Sequence, residues 1–234
     1  MAAIVLGPRY EIKLRFPAPL RPWLQSWIRS SPAHWRVAYP PRWVNSLYFD
    51  DASASALRAN LEGWGEREKV RLRWYGPLLH QLEEAGLEIK ARRGSIGTKQ
   101  LYFLQEFHGD LSQLSWEALL RHLRRFPFAR RWLLRYPRPA LIVRYRRAYY
   151  VSARSRIRLT VDERITAFEQ GLTPRPNLRR AHPRTSDFIV ELKAPPSLAG
   201  EIAACLNELP IRPTRHSKYV VGRLPFARGG YVDA

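Results

Sequence analysis

Cysteine is nearly absent from this chain: Cys205 is the single one in 234 residues. No intrachain disulfide can form, and a thiolate zinc site is excluded because it takes several ligands at close spacing. Cys205 lies on the apolar side of a helical stretch and reads as a small buried hydrophobe. The six histidines show no pair at ligand spacing, which argues against a histidine metal site. Long apolar runs are missing too. None approaches the roughly 18–20 residues that span a bilayer. The opening MAAIVLGPRYEIK has only a short apolar run and no basic flank, unlike a secretory leader. The expectation is a soluble, cytoplasmic protein. Acidic residues are scarce, 20 against 40 Lys and Arg, for a formal net charge of +20. Such a field attracts polyanions: nucleic acid, phosphorylated metabolites, polyphosphate or an anionic membrane. Charge alone does not choose among them.

What is present is a repeated arrangement. Glu-apolar-Lys occurs in YEIKLRF (10–16), LEIKARR (87–93) and VELKAP (190–195). Each copy sits in a period-2 stretch, the signature of a strand with one apolar face. Glu11, Lys13 and Arg15 oppose Ile12, Leu14 and Phe16. Arg71 and Arg73 oppose Val70 and Leu72. Glu88, Lys90 and Arg92 oppose Leu87, Ile89 and Ala91. Arg156, Arg158, Thr160, Asp162 and Arg164 oppose Ile157, Leu159, Val161 and Ile165. Glu191 and Lys193 oppose Val190 and Leu192. VNSLYFDD (44–51) is a further strand candidate. LIVRYRRAYYV (141–151) is strand-like without a clear phase. Three-and-four spacing predicts helices in 18–30, 53–63, 115–126 and 197–209, with Ser53 and Ser115 as N-caps. The basic outer side of 115–126 reads as a solvated face of a packing helix. The Pro- and Arg-rich stretch 171–187 reads as a long mobile loop. Hydrophobic residues make up 45% of the chain, enough for a sizeable core. No linker and no 20–50-residue repeat divides it, so one domain is expected over 1–234.

A solvated face is the ordinary reading of one amphipathic strand. These faces are unusual in carrying like charges at i, i+2, which repel. An antiparallel sheet closed into a barrel would turn them inward. Lys13, Arg71, Arg73, Lys90, Arg158 and Lys193 would then line one channel, uncompensated without anions. Arginine forks and lysine ammoniums suit a chain of phosphates. Carboxylates among phosphates suit a hard divalent cation such as Mg2+ or Mn2+. Glu191 reads as such a ligand. Glu11 and Glu88 read equally as ligands or as counter-charges to the arginines. His216 reads as a neighbour of bound phosphate.

RYEIKLRF, VNSLYFDD, LEGWGEREKVRLRWYG, LEIKARRG, YRRAYY, IRLTVDERI, VELKAP and RPTRHSKYVVG stand in the order found in the VTC domain. The chain therefore resembles, over about residues 9–223, the catalytic domain of the vacuolar transporter chaperone polyphosphate polymerases and their smaller bacterial relatives. That family lies in the triphosphate tunnel (CYTH-like) superfamily. The resemblance implies an α+β fold: a closed antiparallel barrel forming a triphosphate tunnel, with flanking helices. It implies a Mn2+ or Mg2+ cofactor and transfer of the ATP γ-phosphate onto a growing polyphosphate chain. It assigns Lys13, Arg71, Arg73, Lys90, Arg147, Arg158 and Lys218 to the catalytic set. It assigns Lys99, Tyr145 and Arg215 to substrate binding and Glu191 to the metal; the charged strand faces themselves add Lys193 to the substrate set and Glu11 and Glu88 as further metal candidates. The Tyr-x-Arg pair also sets the phase of 141–151. The hydrolytic branch opens with E-x-E-x-K. Here Arg9 replaces the first carboxylate, which favours the polymerase-like branch over triphosphatases and class IV adenylyl cyclases. The inositol-phosphate-sensing domain and membrane helices of the vacuolar complexes have no counterpart, which leaves room for a separate membrane-protein partner.

Two other functions compete. A triphosphate or polyphosphate hydrolase would use the same fold. A non-catalytic polyanion-binding module would use eight tryptophans and eleven tyrosines beside the arginines for base stacking. The aromatics sit mainly at apolar strand and helix positions, and no RNA-binding motif is present, so no specific nucleic acid is expected.

Overall fold

Alternation decides which way each strand faces. In the computed structural model, which describes residues 4–6, 9–79, 82, 85–94, 96–104, 109–154, 156–171, 173–182 and 186–227, the chain forms nine strands and six α-helices among those residues. The strands are β1 (Ile4–Leu6), β2 (Tyr10–Phe16), β3 (Trp35–Asp50), β4 (Glu66–Tyr75), β5 (Gly86–Arg93), β6 (Ile96–Phe103), β7 (Arg138–Ser152), β8 (Arg158–Glu169) and β9 (Phe188–Ala194). The helices are α1 (Arg21–Ser30), α2 (Ser55–Leu61), α3 (Trp116–Leu123), α4 (Pro127–Arg135), α5 (Ala199–Asn207) and α6 (Lys218–Ala227). Part of the opening segment read for a leader, and residues 172 and 183–185 of the Pro- and Arg-rich stretch, lie outside the described residues.

All the strands join one antiparallel sheet in the order β1-β6-β5-β4-β3-β7-β8-β9-β2. Its two edges, β1 and β2, are consecutive in the chain. Among the described residues no ladder joins them, so hydrogen bonds do not close the sheet into the expected barrel. It nevertheless curls strongly. Lys90 of β5 lies 3.5 Å from Glu11 of β2, although five strands separate β5 from β2 along the sheet.

The apolar rows point outward, under helices. Leu47, Leu72 and Leu87 share a core with Leu119, Leu123 and Leu133 of α3 and α4. Leu14, Phe16, Leu159, Val190 and Leu192 share a second with Leu24 and Trp27 of α1 and Ile202 and Cys205 of α5. Each such side chain contributes roughly 1.5–3 kcal/mol by leaving water. These helices thus hold the charged rows on the concave side.

α6 caps that concave side. Leu141 and Val143 share the face of Tyr145 and Arg147 by alternation along β7. A Cβ added to Gly222 would lie 2.9 Å from Leu141 Cδ2 and 2.8 Å from Ala167 Cβ, a backbone approach that only glycine permits. Tyr219 stacks on Tyr48 with ring centroids 5.0 Å apart and donates its hydroxyl to buried Asp50. Asp50 also accepts from the Ala56 and Leu57 amides at 2.9 and 3.1 Å. Asp50 and Asp51, not Ser53, therefore satisfy the start of α2. Its N-cap is Ala54, in the left-handed region at φ 53°, and Ser53 instead donates to Asp51. Ser115 caps α3 as expected, accepting from Ala118 N at 3.1 Å.

Two other expectations change. Alternation along β8 holds from Arg158 to Asp162 and then breaks. The β7–β8 register shifts between Arg144 and Arg146, and Arg164 takes φ 54°. Arg164 thereby leaves the charged row, and Arg156, at φ 57°, precedes the strand. The described part of 171–187 is tied back to β8 rather than free. Gln170 exchanges hydrogen bonds with the Asn177 backbone at 2.7 and 2.8 Å, and His182 N donates to Ala167 O at 2.8 Å.

Candidate functional site

Three lysines face one another across adjacent strands. Lys69 of β4 pairs in register with Lys90 of β5, and Lys90 with Lys99 of β6. Like charges directly opposite are destabilising. Burial, then neighbouring cations, push the Lys69 ammonium down to about 7. Burial, Arg71 and Lys193 push Lys90 well below the usual lysine range, against the pull of Glu11. Lys99 falls to about 8 through burial and the nearby arginines, with Glu88 opposing. A fold does not retain such a row for its own stability.

Beside it lies a carboxylate already saturated with cations. Glu88 is 3% exposed. It accepts from Arg71 at 2.8 and 2.5 Å, Arg73 at 3.2 Å and Lys99 at 2.9 Å. These partners outweigh its burial and hold its carboxyl well below the usual range. Arg71 also donates to the Tyr48 hydroxyl at 3.0 Å, and Arg73 to that of Tyr145 at 3.2 Å.

The second acidic site joins β2 and β9. Register places Glu11 opposite Lys193 and Lys13 opposite Glu191. Lys13 reaches Glu11 at 3.2 Å and Glu191 at 3.9 Å, Lys193 holds Glu191 at 2.6 Å, and Arg147 reaches Glu191 at 3.7 Å. The two carboxyl groups also meet each other. Burial and Glu191 push the Glu11 carboxyl up, but Lys90 and Lys13 bring it below its ordinary value. Burial opposes ionisation of Glu191, yet Lys193, Lys13 and Arg147 hold it well down. Lys13 is raised despite burial, because Glu191 and Glu11 favour its charge.

Asp162 anchors the remainder. It accepts from Arg147 at 2.5 and 2.7 Å and from Lys218, at the start of α6, at 2.5 Å. Its carboxyl sits at about 2, since Arg147 and Lys218 outweigh burial. Lys218 also lies 4.7 Å from the Tyr145 ring centroid. The segment before α6 runs along β2 and across to β4: Thr214 N donates to Lys13 O at 2.8 Å, Lys13 to His216 O at 3.2 Å, and Lys69 to Ser217 Oγ at 3.0 Å.

Of the residues singled out by sequence, the fold brings together Lys13, Arg71, Arg73, Lys90, Lys99, Tyr145, Arg147, Lys193, Lys218, Glu11, Glu88 and Glu191. Arg158 shares the charged face opposite Lys193 but is exposed at its end, and Arg215 is exposed near Arg67. Lys69, Asp162, Tyr48 and Ser217 join the site without having been singled out for it. Lys69 was reachable by stepping the Arg73–Arg71 alternation back two residues. Asp162 already stood in the charged row of β8, whereas Tyr48 and Ser217 depend on contacts between distant segments.

Around this space nine cationic side chains (Lys13, Lys69, Arg71, Arg73, Lys90, Lys99, Arg147, Lys193, Lys218) face four carboxylates (Glu11, Glu88, Asp162, Glu191). With every lysine protonated, five positive charges lack a counter-charge, which at reduced dielectric calls for a polyanion. Buried Ser46 Oγ, Arg73 Nε and Thr160 Oγ1 have no hydrogen-bond partner among the described residues. Buried polar groups rarely remain so, and a ligand in the enclosure could supply partners. Two carboxylates side by side need a proton or a cation between them, and Lys13 supplies one here; a divalent cation at the Glu11–Glu191 contact would take over that neutralisation. No group of three His, Cys, Asp or Glu side chains converges among the described residues, and Glu88 is held apart by its own cations. No described helix is long and apolar enough to cross a membrane.

A family model described as "VTC domain" matches residues 38–226. No curated protein matches the chain. Solved structures do share its fold. The PH1819 protein from Pyrococcus horikoshii OT3 is 13% identical at a TM-score of 0.51, with 94% of this chain and 100% of that one covered. A putative adenylate cyclase from Vibrio parahaemolyticus is 9% identical at 0.50, with 92% and 99% covered. Another from Bacillus halodurans is 13% identical at 0.51, with 88% and 92% covered. Such low identity carries the fold alone. The family model spans most of the chain, and its matched residues include the lysine row, Arg71 and Arg73 of β4, Arg147, Asp162, Glu191 and Lys218: the chain belongs to the VTC domain family.

Proposed function

We propose that this protein is a metal-dependent polyphosphate polymerase, moving the γ-phosphate of ATP onto a phosphate chain in a tunnel enclosed by the curled sheet. The observation that carries this reading is the Lys69–Lys90–Lys99 row beside Arg71 and Arg73, a cationic surface without sufficient counter-charge. A linear phosphate chain supplies one charge per short repeat, and the row is extended in the same way. The arginines grip phosphate oxygens with fixed forks, and the lysines supply mobile point charges.

Glu191 and Glu11 would hold Mn2+ or Mg2+, which supplies charge neutralisation on the transferring phosphoryl group. The chain's own groups do the rest. Arg147, oriented by Asp162, and Lys13 both face Glu191 and hold phosphate oxygens there. Arg71 and Arg73 keep the chain extended for in-line attack by a terminal phosphate. No protein nucleophile is required; the acceleration comes from positioning and electrostatics. Lys218, beside Asp162 and Tyr145, contributes to anion affinity whether or not metal is bound.

Incubating the purified protein with ATP and Mn2+ or Mg2+ and resolving the products on a gel tests this directly. A ladder of long phosphate polymer with release of ADP is expected. Inorganic phosphate without polymer would establish a hydrolase. Binding without metal-dependent turnover would reduce the protein to a polyanion-binding module.

A further inference from the structure

Beyond Arg147 the charged face runs on to a rim of aromatic side chains that phosphate does not require. β3 pairs with β4 only from Val44 onward, so residues 35–43 stand clear of β4, paired to the end of β7. Ala38, Pro40 and Pro41 fall at the register shifts of that ladder. Proline donates no N–H, which keeps this margin from accepting another strand. The ladder also fixes which side chains share the inner face. Tyr149 lies opposite Thr160, and Thr160 opposite Glu191. Arg42 lies opposite Arg147, and Tyr39 opposite Tyr149. Tyr75 follows Arg73 by two residues.

These groups are already assembled. The Arg42 guanidinium lies 3.7 Å from the Tyr75 ring centroid and 5.3 Å from that of Tyr149. Its Nε donates to the Tyr149 hydroxyl at 3.3 Å. Tyr39 meets Tyr149 edge-on at 5.8 Å and is 61% exposed. An exposed ring held edge-on against a tyrosine that itself carries a guanidinium adds little to a core. It does offer flat, cation-rich surfaces, and every nucleobase has a face that stacks on such surfaces.

We propose that Tyr39, Arg42 and Tyr149 form a site for the base of a nucleoside triphosphate whose phosphates pass Arg147 into the enclosed cationic site. This rests on the reading of that enclosure as a triphosphate site and adds the direction of entry: base at the rim, γ-phosphate within. A polyphosphate chain has no base, so the rim separates donor from acceptor. Stacking without base-edge readout gives little discrimination between adenine and guanine.

Calorimetric titration of ATP and of inorganic tripolyphosphate, at fixed salt with chelator, tests the site on wild type, Tyr39→Ala and Arg42→Lys. The lysine keeps the charge and removes the plane. Tyr39→Ala should lower ATP affinity about tenfold, within the range for losing one stacked base. Arg42→Lys should lower it severalfold. Tripolyphosphate affinity should stay within twofold in both, and thermal melts should match wild type because both side chains are exposed. Wild type binding tripolyphosphate, with ATP affinity unchanged in both variants or lost in step with tripolyphosphate, overturns the nucleobase site alone. Wild type binding neither ligand overturns the enclosure as a triphosphate site together with the rim.

Discussion

Glu88 and Glu191 stand in the same Glu-x-Lys register and are nearly equally buried, at 3% and 4% exposure. Their neighbours make them different groups. Glu88 is ringed by Arg71, Arg73 and Lys99, all within 3.2 Å. Glu191 has one close cation, Lys193, two more distant ones, and a second carboxylate against it. The first arrangement ties two arginines and a lysine in place. The second leaves carboxylate oxygens concentrated where a hard cation would neutralise them. One local motif thus yields a structural counter-charge on one side of the enclosure and a candidate metal ligand on the other. Cross-strand neighbours, not the motif, make the division.

The largest effect should come from breaking the first arrangement. Glu88→Gln leaves Arg71, Arg73 and Lys99 without their shared anion. Removing one partner of a buried ion cluster costs roughly 3–5 kcal/mol, and the melting temperature should fall by about 6–20 °C. Tripolyphosphate should recover part of the loss by supplying the missing charge. An unchanged melt would mean that Glu88 is not the structural member of the pair.

Arg73→Ala comes next. It should weaken tripolyphosphate binding by about 1.5–3 kcal/mol, the scale of hydrogen bonds to a charged group. Calorimetry at fixed salt reads this, and unchanged affinity would remove Arg73 from the ligand set. The same folding test on Glu191→Gln should give a smaller loss, about 1–2 kcal/mol. Lys193 loses its close carboxylate, but Arg147 keeps Asp162, Lys13 keeps Glu11, and a carboxylate–carboxylate contact is relieved. A loss as large as that of Glu88→Gln would erase the distinction between the two sites.

The smallest effect is on pH dependence and belongs to the lysine row. Lys69 at about 7 and Lys99 at about 8 lie below the unfolded value of 10.5. The folded state therefore binds fewer protons, and these two groups make the empty protein more stable as pH rises from about 7 toward 10.5. Below about pH 7 both are charged and their cost is fully present. Bound phosphate favours the charged forms, so tripolyphosphate affinity should fall as pH rises through 7 to 8, with proton uptake on binding near pH 8. Titrations in two buffers of different ionisation heat measure that uptake, and its absence would contradict the assignment of the row to anion binding.

The strands carrying these groups were legible because period 2 is a local property. β2, β4, β5 and β9 alternate as their residues predict, and α1, α2, α3 and α5 fall within the expected helical stretches. What escaped has local causes as well. Pro40 and Pro41 hid the first half of β3; Arg144 and Arg146, on the face opposite Tyr145 and Arg147, blurred the phase of β7; and the extra residue of β8 near Arg164, at positive φ, broke the alternation there. Among the helices, α4 and α6 were not anticipated: α4 begins immediately after the stretch that contains α3, and α6 carries Gly222 and Pro225 within it. At the site, the cationic side chains could be named from alternation and family resemblance. The Lys69–Lys90–Lys99 row and the saturation of Glu88 could not, because both require the registers of three strands at once.

The most direct test of the central claim is ATP turnover by Glu191→Gln with Mn2+, measured alongside its chelator-treated tripolyphosphate affinity. The account predicts that turnover collapses while metal-free binding stays the same or tightens, since a negative charge has left a cationic enclosure and the cations remain. Full metal-dependent turnover in that variant would contradict it, and would make Glu191 a counter-charge like Glu88.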